Sequence, residues 1–236
     1  MSDNPISSDL LSALGAYDTP TICNALEIVA HERRAIGFTT EPLVAARPML
    51  PPIVGFARTA TIRAMQPSRL DPAELRQLRL GYYEYVASGP MPAIPVLQDL
   101  DGPRAGYGAF WGEVQSNVHK GLGCTGAVTD GSIRDIDVLA PGFQLLAGEI
   151  GPSHAHVHLV GFGESVNVAG MVVASGDLIH ADRHGAVVIP HAVAAEVPAA
   201  AELLGRREAV ILEAAKRDDF TFEVLRKALA AADEIH

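Results

Sequence analysis

The chain has 236 residues, of which 48% are hydrophobic and 19% charged, with a formal net charge of −10. That is enough apolar material for a sizeable core, in one large domain or two small ones, and no run of eighteen apolar residues is present to cross a membrane. The acidic balance, without a basic patch, argues against nucleic acid as the main ligand. The N-terminal stretch has neither a basic n-region nor a long apolar h-region, so no secretory signal is expected. Cys23 and Cys124 lie far apart without metal-ligand spacing, which suits a reducing cytoplasm.

Taken in order, residues 8–35 read as helix. Ser7 or Ser8 caps the start, Leu10, Leu11 and Leu14 form an apolar stripe, and Thr19-Pro20 restarts the helix at Thr21. Residues 47–52 are Pro-rich and irregular. Residues 55–64 alternate as a strand does, and residues 70–88 carry Leu75, Leu78, Tyr82 and Tyr85 at helical spacing, read as packing residues. A short buried strand over 93–97 leads to Asp99 and Asp101. The Gly-rich loop 102–108 lacks the spacing of a nucleotide-binding loop. A helix is expected to begin near Gly112, followed by a strand over 126–129, a turn at Asp130-Gly131, a short helix over 136–139 and a strand over 143–146. From Val157 short strands alternate with turns until Pro190. Residues 192–236 are helical, with a break near Asp218-Asp219 and a cap at Thr221. The expected organisation is one α/β domain over 1–190, with a helical extension of it over 191–236.

The chemistry concentrates between Gly112 and Asp135, where Glu113 opens a polar run and Arg134 and Asp135 close the segment. An adjacent Arg-Asp pair is by itself compatible with a surface ion pair worth less than ~1 kcal/mol. His154, His156 and His158 alternate on one face of an extended segment, a pattern that can hold zinc but more often packs or faces solvent. His180, His184, Asp177 and Asp182 fall at or beside turns and are read as structural. His119 lies inside the key segment and is expected near substrate.

The segment WGEVQSNVHKGLGCTGAVTDGSIRD, the later VASGDLIHADRHGAVVIP and the early TPTICNAL together resemble the family of the regulators of ribonuclease activity A and the metal-dependent 4-hydroxy-4-methyl-2-oxoglutarate/4-carboxy-4-hydroxy-2-oxoadipate aldolases. The family hallmark is an acidic residue, twenty intervening residues, then Arg-Asp; here these are Glu113, residues 114–133 and Arg134-Asp135. The resemblance covers roughly residues 10–215. It departs at Glu113 and Asn24, where the family usually carries Asp. It implies a β/β/α swivelling-domain-like sandwich assembling as a homotrimer or homohexamer, with sites between subunits and Glu208 as a third acidic group from a neighbour.

For the site, the resemblance implies that Asp135 ligates Mg2+ or Mn2+, with Glu113 as second ligand through water or directly. Glu113 and Arg134 are the catalytic groups. Arg134, the backbone N–H groups of Val114, Gln115, Ser116 and Asn117, and His119 bind a 2-oxo acid. The implied reaction is aldol cleavage to pyruvate, with oxaloacetate decarboxylation by the same enolate route, in a cytoplasmic enzyme without nucleic-acid or membrane partners. The alternative is a non-catalytic ribonuclease E regulator. A Schiff-base route is disfavoured, because only Lys120 of the three lysines lies outside the C-terminal helices. A methyltransferase reading lacks a Gly-rich cofactor loop after the first strand.

Overall fold

The computed structural model describes residues 6–236. Helices α1 (Ser8–Leu14) and α2 (Thr19–Val29) begin where Ser7 and Asp18 accept the N–H groups of Leu10 and Thr21. Each such cap contributes about 1 kcal/mol. Asp18 moves the second start to Thr19, ahead of the expected Thr21, and leaves Pro20 in the first turn, where a missing N–H costs nothing. Strands β1 (Val44–Ala45) and β2 (Ile53–Arg63) follow, then α3 (Pro72–Ala87). In α3 a capping box sets the helical phase: Asp71 accepts from Ala73 and Glu74, and Glu74 accepts from Asp71.

Next come β3 (Ala93–Asp99), β4 (Ala109–Trp111), α4 (Glu113–Gly121), β5 (Gly126–Thr129), β6 (Ser132–Ile133), β7 (Gln144–Ala147) and β8 (Glu149–Ile150). The later short strands are β9 (His158–Phe162), β10 (Val166–Val168), β11 (Met171–Val173), β12 (Leu178–Asp182) and β13 (Gly185–Ile189). The chain closes with α5 (Val197–Ala215) and α6 (Phe222–Asp233), the latter capped by Thr221.

The fold is mixed α/β. The main sheet runs β1-β7-β5-β3-β2-β12-β13, with β9 also paired to β2. Its centre (β2, β3, β5, β7) is parallel and its flanks are antiparallel. The long β2 pairs through its first half with β12 (Phe56 opposite Leu178) and through its second half with β9 (Ala60 opposite Phe162). It is buried along nearly its whole length, as a central strand covered on both faces must be. One cluster joins Ala60 and Ile62 of β2 to Tyr82, Val86, Trp111 and Phe143 beneath α3 and α4. Another joins Val54 and Phe56 to Leu14, Ile22, Leu26 and Ala201, so α5 shares a core with α1 and α2. A separate parallel sheet, β4-β6-β8, is built from strands of two or three residues. It carries the site.

Candidate active site at the ends of two parallel strands

Strands β4 and β6 lie side by side and parallel, so both run out at the same edge. Ligand crevices of open parallel sheets form outside such carboxyl ends. Gly112 and Glu113 follow β4; Arg134 and Asp135 follow β6, and the Arg134 N–H donates to the Trp111 carbonyl at 3.0 Å. The residues between are α4, β5 and the Asp130-Gly131 turn. That path brings the chain back beside its starting point, which is why an acid and an Arg-Asp pair so far apart in sequence become neighbours.

The contact is tight. A Cβ at Gly112 would stand 2.6 Å from Asp135 Oδ2, so the backbone must be bare there. Asp135 sits in the left-handed region at φ 56°, ψ 39°, at a cost of roughly 1–2 kcal/mol that Asp bears better than most residues. This backbone aims its carboxylate at the start of α4, where Oδ2 meets the Glu113 N–H at 3.4 Å. The Arg134 Nε lies 3.4 Å from the same oxygen, and both side chains are about one-third exposed (34% and 36%). The guanidinium is thus anchored at one edge and open at the other.

A cavity of about 660 Å³ is lined by Glu113, Val114, Gln115, Arg134 and Asp135. The other residues expected at substrate turn away from it. Ser116 is buried; its hydroxyl donates to the Glu113 carbonyl and accepts from the Ala140 N–H, while its own N–H donates to Gly112. Asn117 is exposed and donates to the Glu113 carbonyl at 2.8 Å. The first-turn N–H groups of Val114 and Gln115 remain as donors at the positive end of α4.

His119 is a correction. It is fully buried, 4.5 Å from the Trp111 ring centre, and lies outside the cavity lining. Its Nδ1 lies 2.7 Å from the Gln115 carbonyl, which only accepts, so Nδ1 carries the proton and Nε2 accepts from the Tyr82 hydroxyl at 2.9 Å. Burial pushes its pKa down to about 4, against a smaller opposing effect of the Gln115 bond. His119 is a neutral packing residue that ties α4 to α3.

Sequence reasoning missed four residues that enter the same cavity: Arg76 and Arg79 of α3, and His154 and His158. The i, i+3 spacing of the arginines was a visible sign that they share one face. The histidine alternation was visible too, although His156 does not line the cavity. Among the described residues no group of three His, Cys, Asp or Glu side chains is placed to hold a metal. Lys120 is exposed, bonds the Pro141 carbonyl and lies outside the cavity. Glu208 is likewise exposed and outside the cavity of its own chain.

A second cavity of about 670 Å³ is walled by Glu41, Asp99, Asp130 and Glu149. Burial pushes Asp130 up to about 6, and nearby Asp99 and Glu41 add to the rise, against bonds from backbone N–H groups. A raised carboxyl pKa gives stability that is present at low pH and is lost as pH climbs from the ordinary value towards 6. Asp130→Asn keeps an oxygen for the Asp99 N–H and removes the charge. It is expected to stabilise the fold by on the order of 1–3 kcal/mol at pH 8 and by little at pH 4. Melting curves across that range check this; an advantage that does not grow with pH contradicts it.

Known proteins resemble this chain in sequence and in fold. A family model described as RraA-like, Aldolase/RraA, matches residues 19–188. An uncharacterized protein of Methanocaldococcus jannaschii is 32% identical over 119 residues, which is 50% of this chain and 57% of that protein. The matched part therefore spans little more than half of that relative's length. Among solved structures, an uncharacterized protein from Pseudomonas syringae pv. tomato superposes with a TM-score of 0.71 at 24% identity, covering 98% of this chain and 97% of its own. Streptomyces coelicolor RraAS2, described as an unusual member of the RNase ES inhibitor RraA family, gives 0.67 at 23%, covering 89% and 98%. At these identities the structural matches speak for the fold. Among the described residues no helix is long and apolar enough to cross a membrane.

Proposed function

We propose, from the premise that this chain belongs to the RraA-like family (Aldolase/RraA), that it is a divalent-metal-dependent lyase cleaving 4-hydroxy-2-oxo acids to pyruvate, and oxaloacetate by the same enolate route. The observation that carries the reading is the convergence of Glu113, Arg134 and Asp135 on one cavity at the ends of β4 and β6. The assembly and compartment that go with it are a homotrimer or homohexamer in the cytoplasm.

The donor set fits magnesium or manganese. Hard cations take oxygen ligands, need only one or two carboxylates and keep several waters. Asp135 would hold the ion directly and Glu113 through water. A bound ion would supply Lewis-acid polarisation of the 2-oxo group. The protein's own groups do the rest. The N–H groups of Val114 and Gln115 receive the substrate carboxylate. As the C3–C4 bond breaks, its electron pair moves to give an enolate with charge on the C2 oxygen, and the open edge of the Arg134 guanidinium faces that charge. The 4-hydroxyl proton passes to Glu113 and returns to C3, giving pyruvate and a carbonyl product.

A pyruvate-release screen over 4-hydroxy-2-oxo acids and oxaloacetate tests the reading. Turnover is expected to vanish with chelator and return with Mg2+ or Mn2+. Full activity after exhaustive chelation would end the metal route. The family description couples aldolases with regulators, so the second reading is a non-catalytic ribonuclease E regulator; it prevails if no 2-oxo acid yields pyruvate while the protein binds ribonuclease E.

A further inference from the structure

Helix α3 meets the cavity and the core with a single face. Leu75 and Arg79 line the cavity, while Tyr82 and Val86, further along the same face, are fully buried. Tyr83 lies where that face passes from cavity to core. Its half-buried ring stands 5.6 Å from the Tyr82 ring centre and 5.7 Å from that of His119, wedged against two core side chains. From there its hydroxyl donates to Oε1 of Gln115 at 3.0 Å.

Gln115 is the third residue of α4. A glutamine at that position can reach back to the N–H at the helix start, in exchange for a side-chain oxygen from the capping residue. Gly112 has no side chain to offer, and α4 has no side-chain cap. The Gln115 oxygen goes to Tyr83 instead, and its backbone carbonyl accepts from His119 Nδ1 at 2.7 Å. The residue is thus held at both ends by side chains packed on the core. With Oε1 taken, the arm of the amide left for the cavity that Gln115 lines is Nε2, which has two N–H donors. Among the described residues no acceptor meets Nε2, so a fixed, half-buried donor opens on a cavity of ligand size.

We propose that the Gln115 side-chain amide binds an uncharged oxygen on C4 of the substrate, and that Tyr83 is the positioning residue that keeps its N–H groups turned to the cavity. The 1-carboxylate and the C2 oxygen are already assigned to the first-turn N–H groups of α4 and to Arg134. Tyr83 draws the amide towards α3, so what it reaches is the part of the ligand beyond C3, where the first oxygen of a 4-hydroxy-2-oxo acid is that on C4. A neutral donor suits that oxygen both as hydroxyl and as product carbonyl. As the hydroxyl proton leaves for Glu113, charge builds on the oxygen until the C3–C4 electron pair departs to the enolate and C4=O forms, so the N–H bond strengthens as the reaction proceeds. The choice of ligand rests on the lyase reading, but the recognition of a C4 oxygen can be measured without turnover.

The kinetic test uses 4-hydroxy-2-oxopentanoate. Gln115→Met keeps the volume and removes the donors, and is expected to lower kcat/KM by about 10–100-fold. Tyr83→Phe frees the amide to turn, and should cost about three- to tenfold. In the Gln115→Met background, Tyr83→Phe should cost nothing further, because the group it positions is gone. A purely structural tyrosine predicts the same loss in both backgrounds, and that result overturns its positioning role. Calorimetry with Mg2+ present compares 2,4-dioxopentanoate, which has an oxygen on C4 but no hydroxyl proton to lose, with 2-oxopentanoate, which lacks that oxygen. Wild type should bind the first about tenfold more tightly, Tyr83→Phe should narrow the preference, and Gln115→Met should abolish it. Equal weakening of both ligands in Gln115→Met, or binding of neither by wild type, overturns the proposal. If wild type cleaves no 2-oxo acid yet shows the Gln115-dependent preference, the lyase reading falls and the amide contact stands. If Gln115→Met cleaves as wild type does, the contact falls and the lyase reading stands.

Discussion

Replacing Arg134 with alanine is expected to lower kcat by about 10²–10³-fold, the usual loss when one donor to a developing oxyanion is removed. If the guanidinium faces the enolate charge as proposed, it matters more in the transition state than in the substrate complex, and kcat should fall more than KM rises. Arg134→Lys should recover little, since a point charge cannot copy a fork anchored at Nε to Asp135 and open at its other edge. Folding should barely change. The Arg134–Asp135 pair is one-third exposed, and such pairs contribute about 0–1 kcal/mol. Steady-state kinetics with thermal melting checks both halves. Wild-type kcat in Arg134→Ala on a confirmed substrate would remove Arg134 from the chemistry.

Asp135 is expected to matter as much, and its backbone dictates which substitution is informative. Alanine in the left-handed region loses the local advantage Asp has there, so Asp135→Ala mixes a stability cost of roughly 1 kcal/mol with the loss of the proposed metal-binding carboxylate. Asn tolerates that conformation. Asp135→Asn should therefore melt close to wild type while losing metal-stimulated turnover by about 10³-fold or more. Direct titration with Mn2+ supplies the decisive readout: binding should weaken by more than the roughly tenfold to 100-fold typical of losing a group that only supports a ligand, even where no substrate is present. Unchanged Mn2+ affinity in Asp135→Asn would place the ion elsewhere.

Much of the chain could be read before folding because its signals are local. The caps at Ser7 and Thr221 and the strand 126–129 depend on residues a few positions apart. The family motif was equally legible, because it is a fixed spacing between Glu113 and Arg134-Asp135. The spacing could not say why it mattered. The answer is the parallel pairing of β4 with β6, strands too short to show a period of two. Residues inside α4 were misjudged for a related reason. Gln115, Ser116, Asn117 and His119 look alike as a polar run, but helical phase sends Ser116 and His119 inward, to Ala140, Trp111 and Tyr82.

By itself the sequence determined the family, the approximate span of most helices, and the interval that joins Glu113 to Arg134-Asp135, because those rest on short-range capping, periodicity and a fixed spacing along the chain. Only the tertiary structure decided that His119 is a neutral core residue, that Asp135 is held in a left-handed backbone against a bare Gly112, and that Arg76 and Arg79 share a cavity with Arg134. These are relations between segments far apart in sequence. They are set by which strands pair and which helix face the core consumes, and no local pattern encodes either.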